Sequence, residues 1–208
     1  MRRLLDASRA VYWTLVLNRA ESMLEKDRDA DALRVYLRVA AAVPNLVRAH
    51  YACACLLARE ERFAEAAEHA MRVCAQLPNE PNMCAILGHH AIREGDGERA
   101  FDHYTTAYLN GADDPSVAHS LITLLSMDGR TEEALIIAQR LIESGDLSAL
   151  DRTVIATAYA RDDQPETALR HLQAAMQDED ALPELREYIT GAIETLVSRI
   201  NAERSTLN

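Results

Sequence analysis

The stretch Leu87–Ala107 carries His89, His90 and His103, with acidic residues between them and Cys84 just upstream. Imidazole and thiolate are zinc ligands, and a histidine beside a carboxylate can move a proton. Adjacent residues on a helix do not share a face, so His89 and His90 do not form a two-ligand site. Cys53-x-Cys55 lacks the spacing of a C-x-x-C pair, and the other cysteines are Cys74 and Cys84. With no export signal and a chain of 208 residues, reduced thiols are expected. No Ser-His-Asp order, phosphate-binding glycine loop or HExxH segment is present. The reading is therefore no catalytic set, no cofactor and no metal.

What positions these residues is a repeat. Ala32, Ala66, Ala100, Ala134 and Ala168 recur at a spacing of 34. Twelve residues before them stand Ala20, Ala54, Gly88, Ile122 and Ala156, and four after them Tyr36, Ala70, Tyr104, Ala138 and Leu172. Seven after them stand Val39, Val73, Ala107, Leu141 and Ala175. Several small or apolar columns in one register are the mark of a repeat architecture.

Leu87-Gly88, Ala91, Ala100, Tyr104 and Ala107 give the best local match to a known pattern. That pattern is W-x2-L-G-x2-Y, A-x3-F-x2-A and a closing proline, and the chain resembles the tetratricopeptide repeat (TPR) family. Five repeats fall at about 13–44, 47–78, 81–112, 115–146 and 149–180, within residues 1–182. The first signature position holds Val16, His50, Cys84, Ala118 and Arg152 rather than tryptophan, and only Pro44 and Pro78 close a repeat. The resemblance implies an all-α solenoid of antiparallel helix pairs with a concave groove.

Local chemistry agrees with two helices per repeat. Asn45, Asp114, Thr131 and Ser148 are expected N-caps, with Asp151 completing a box, and Pro165 opens a helix. Gly95, Gly111, Gly129 and Gly145 suit left-handed helix ends. Residues 183–208 read as a capping helix with a short frayed tail, its apolar face built on Leu185, Ile189, Ala192, Leu196 and Ile200 and widened by Tyr188, Ile193 and Val197.

In TPR proteins one face of each first helix lines the groove. Carried over position by position, the resemblance puts Leu17 and Glu21 there, then Arg48, Tyr51, Cys55 and Arg59, then Asn82, His89 and Arg93. His119, Thr123 and Met127 follow, then Thr157 and Arg161. The expected floor is Leu17, Tyr51, Ala85, His119 and Thr153, with Arg59, Arg93 and Arg161 along one edge. That edge either orients a partner carboxylate or pairs with the adjacent Glu60, Glu94 and Asp162. His103 is placed on the outside of a second helix. Cys55, His89 and His119 stand on neighbouring repeats about 10 Å apart, whereas metal ligands lie about 2 Å from the ion. The lysine and asparagine clamp of some co-chaperone TPRs is absent, since the matching positions hold Leu17/Glu21, Tyr51/Cys55 and Ala85/His89.

Net charge of −11 and the lack of a basic run argue against nucleic acid and anionic membranes. Asp6 and Arg9 interrupt the N-terminal apolar stretch, so neither a signal peptide nor membrane insertion is expected. The resulting expectation is a cytoplasmic, bacterial, non-catalytic adaptor or chaperone that cradles an extended or helical segment of another protein. A secretion-system or assembly-factor role is what the resemblance implies. The second reading is a scaffold forming a homo-oligomer through the C-terminal helix or convex face, and the third a metal- or redox-responsive regulator using Cys55, His89 and His119.

Overall fold

The computed structural model describes residues 2–112, 114–145 and 147–206; Met1, Asp113, Asp146, Leu207 and Asn208 lie outside the described residues. Eleven helices and no strand occur among those residues. They are α1 (Arg2–Leu24), α2 (Asp29–Ala42), α3 (Val47–Arg59), α4 (Phe63–Cys74), α5 (Pro81–Arg93), α6 (Gly97–Leu109), α7 (Pro115–Met127), α8 (Thr131–Ser144), α9 (Ala149–Arg161), α10 (Pro165–Met176) and α11 (Pro183–Thr206). The chain divides into two compact units, Met1–Asp113 and Asp114–Asn208.

In the first unit each helix packs on the next from α1 to α6, and α3 also meets α5. In the second, α7 packs on α8 and α9, α9 on α10, and α11 on both α9 and α10. The column alanines Ala32, Ala66, Ala100, Ala134 and Ala168 are all fully buried. A methyl group is what lets two helix backbones approach this closely. Gly88 goes further. A Cβ there would meet the Tyr104 ring at 2.7 Å, so glycine on α5 makes room for tyrosine on α6.

One residue in each turn joining a pair has left-handed backbone: Asp27 (φ 55°), Glu61 (56°), Gly95 (78°), Gly129 (77°) and Asp163 (60°). These positions are again 34 apart, so the turn repeats as faithfully as the helices. Glycine fills two of them, and acidic residues tolerate the other three.

The N-caps differ in part from expectation. Glu80, Asp96, Asp114 and Ser148 accept hydrogen bonds from their helix starts, and Ser148 with Asp151 forms a full capping box. Asn45 is not a cap, because α3 starts later, after Leu46; Thr131 is already the first helical residue. In place of a capping oxygen, Arg28, Arg62 and Arg130 precede α2, α4 and α8 and fork onto Asp31, Glu65 and Glu133. Those guanidinium hydrogen bonds hold the three carboxyls below the usual carboxylate range. At α6 the charges are exchanged: Asp96 caps and Arg99 stands three residues on.

α11 closes the second unit. Ile189, Leu196 and Ile200 are buried. Self-association through these three side chains would require the unit to open. Tyr188 does not join that face and is 58% exposed. The helix also continues through Ser205, where a frayed tail was expected.

Candidate partner-binding surface

The expected groove column fares differently at each repeat. Leu17, Ala85 and Thr153 are buried, so they pack rather than form an open floor. Tyr51 and His119 are half-buried. Tyr51 accepts a hydrogen bond from Asn82 Nδ2 at 2.7 Å, which ties α3 to α5. Burial pushes the Tyr51 hydroxyl above its ordinary pKa, and it stays neutral. Arg48 pairs with Glu21, joining α3 to α1.

The arginine edge is also engaged, though not with the adjacent acids. Arg59 reaches Asp29 at 3.2 Å and Arg93 reaches Glu61 at 2.9 Å. Arg93 also lies over the Phe63 ring, 5.4 Å from its centroid. Arg161 donates to the Ser126 carbonyl at 3.0 Å. Each thus points back to the preceding helix pair, and not to the adjacent Glu60, Glu94 and Asp162 that were one of the two alternatives. Met127, which interrupts the column on α7, is 67% exposed.

His89 stands against α4 and α6 instead of on an open face. Its ring is 5.4 Å from Phe63, and its Nδ1 shares a hydrogen bond with the Tyr104 hydroxyl at 2.8 Å. His103, on the second helix α6, is half-buried, and burial lowers its pKa. In the second unit His119 Nε2 bonds Asp151, the residue that also completes the α9 capping box. Burial alone would raise the Asp151 carboxyl; the hydrogen bonds from Ser148 and His119 outweigh it and hold the group low. Thr123 and Thr157 donate to the carbonyls of His119 and Thr153.

Cys55 is half-buried, and burial pushes its thiol up to about 11. Little thiolate is then present near neutral pH. No group of three or more His, Cys, Asp and Glu side chains among the described residues is placed to hold a metal. Nor is any described helix long and apolar enough to cross a membrane.

Sequence reasoning missed one concavity. A cleft of about 810 Å³ lies between α9 and α11 in the second unit. Thr157, Ala160 and Arg161 line one wall, and Glu184, Glu187, Tyr188 and Gly191 the other. The signal was available. Pro183 stands 34 residues after Ala149, so α11 continues the repeat register as a first helix. The groove columns of α9 then project onto Glu184, Glu187, Gly191 and Thr195, all of which line the cleft.

No protein-family model matches the sequence, and no curated protein matches it. Solved structures do match in shape. YrrB, described as a TPR protein with an unusual peptide-binding site, superposes with a TM-score of 0.67 at 17% identity, covering 85% of this chain and 90% of its own. The fold is the tetratricopeptide repeat. MamA (TM-score 0.63, 17% identity, 80% of this chain and 91% of its own) is similar to it. So is TTC0263, a thermophilic TPR protein of Thermus thermophilus (0.57, 16%, 86% and 98%). In the second unit the α9–α11 cleft lies on the first-helix columns that carry Thr157 and Arg161.

Proposed function

We propose that this protein is a non-catalytic TPR adaptor or chaperone of the bacterial cytoplasm, of the secretion-system or assembly-factor kind. It takes a segment of a partner protein on the concave columns of its first helices. The observation that carries the reading is the α9–α11 cleft, where Thr157 and Arg161 of the expected groove face Tyr188 and two carboxylates. A mainly apolar cleft with one guanidinium and two acids in its walls suits an extended segment with apolar side chains and charged flanks. The peptide-binding site in the description of YrrB supports the same class of partner.

Tyr51, His89, Arg93 and His119 belong to the proposed surface but also hold helices together, so replacing them confounds binding with folding. Tyr188 and Gly191 avoid this. Tyr188 is exposed, and a Cβ at Gly191 meets nothing within 4 Å. The test is co-purification from the native host with mass spectrometry, comparing wild type with Tyr188→Ala/Gly191→Arg at equal helicity. A protein lost only from the variant establishes the cleft and names the client. An unchanged partner list overturns the cleft as the site.

A further inference from the structure

We infer a second docking site, on the α1/α2 face of the first unit, for an acidic amphipathic helix of a partner protein. A cavity of about 720 Å³ opens there, lined by Tyr12, Trp13, Val16, Met23 and Val35, with the exposed Arg19 and Arg38. This site is separate from the α9–α11 cleft and does not depend on it.

The repeat register says what kind of surface this is. Val16, Arg19 and Met23 on α1 correspond to His50, Cys53 and Leu57 on α3, one repeat later. Those three are buried on α3, which packs on both α2 and α4. The Arg19 column holds buried apolar residues in every other pair: Cys53, Leu87, Leu121 and Ile155. On α1 the same face carries no covering helix among the described residues, and an arginine stands at the centre of the column. The surface shaped to receive a helix is thus present and uncovered. Val11, Tyr12 and Leu15 beside it are each more than half exposed.

Charge selects the occupant. Neither Arg19 nor Arg38 has an ion-pair or hydrogen-bond partner among the described residues, in a chain with 11 excess negative charges. The Trp13 Nε1–H is buried without an acceptor. Two guanidiniums around an apolar floor match a helix whose apolar stripe is flanked by carboxylates. A basic helix would meet like charge there.

Trp13 is the single tryptophan of the chain, so the site reports on itself. The experiment titrates two blocked synthetic helices into the full chain and follows Trp13 emission. One is built of Leu, Ala and Glu, the other of Leu, Ala and Lys with the same apolar stripe. The Glu peptide is expected to shift the emission and to bind about tenfold tighter than the Lys peptide, with the preference shrinking as salt rises. Arg19→Glu/Arg38→Glu, both at exposed positions, is expected to invert the preference while far-UV circular dichroism stays unchanged. Equal binding of the two peptides, no emission change with either, or a preference that survives the charge reversal overturns the inference. An emission shift that tracks a rise in mass with no peptide present overturns it too, because the occupant is then a second copy.

Discussion

Gly88 and Tyr104 show how little freedom single positions have in this fold. With the ring 2.7 Å from where a Cβ would stand, Gly88→Ala forces Tyr104 to move, at an expected cost of about 1–3 kcal/mol in urea unfolding. Gly88→Ala/Tyr104→Leu should regain part of that loss, since the two positions are coupled. A second pair of residues sets a pH dependence. His50 Nε2 lies 2.9 Å from the Pro44 carbonyl, which only accepts, so this nitrogen carries the hydrogen. Neutral His50 then accepts at Nδ1 from His69, 2.8 Å away. Burial lowers the pKa of both, with Arg72 adding to it. The unfolded chain takes up protons at these residues near pH 6.5, before the folded one does. Stability is therefore full above that pH and falls as the pH drops below it. Urea midpoints at pH 7.5 and 5.5 should show the loss, and the difference should shrink in His50→Leu/His69→Leu. Neither feature was legible in advance. The register marked Gly88 as a small column, but not that its neighbour needed the last methyl removed. His50 and His69 sit on different helices, and no spacing in one sequence announces that they meet.

Helices and turns were far more legible, because periodicity and punctuation report on backbone directly. The alanine column gave the packing seam, and Gly95 and Gly129 marked two turns. The left-handed backbone of the other turns was hidden because Asp27, Glu61 and Asp163 adopt it without being glycine. This makes a directional prediction. Asp27→Gly should raise the unfolding free energy by about 0.5–1 kcal/mol, and with it the urea midpoint, by relieving a conformation that L-residues resist. A lower midpoint would show that the aspartate contributes more than its backbone costs. At the start of α9 the capping box invites the opposite test. Ser148→Ala should cost about 1 kcal/mol and speed amide exchange in the first turn of α9. The expected caps at Asn45 and Thr131 failed for different reasons: α3 starts one residue later, with Leu46 at its N-cap, and at α8 the N-cap position is taken by Arg130. Arg62 and Arg130, like Arg28, sit at N-cap positions, where their side chains fork onto a carboxylate in the first turn instead of accepting from the backbone. Sequence rules for capping look for an oxygen and pass over this alternative.

Across the whole molecule, the end of the chain matters most to the second unit. α11 covers Ala156, Leu172 and Ala175 with Ile189 and Leu196. Removing residues 183–206 should expose that seam, and hydrogen exchange should quicken in α9 and α10 while α3 to α5 keep their protection. Uniform loss of protection would show that the two units unfold as one. The same end also explains the missed cleft. Reading α11 only as a lid placed its apolar stripe correctly but ignored that it keeps the 34-residue register, and with it the groove columns. The backward reach of Arg59, Arg93 and Arg161 has a further consequence, of an evolutionary kind. The second, third and fifth repeats carry a hook at the end of the first helix, and the first and second each offer an acidic eye near the turn, Asp29 and Glu61. An in-frame tandem duplication of one such repeat would deliver a module already fitted to the neighbours on both sides. A gene of this design can lengthen by copying itself, with no new contact left to be invented.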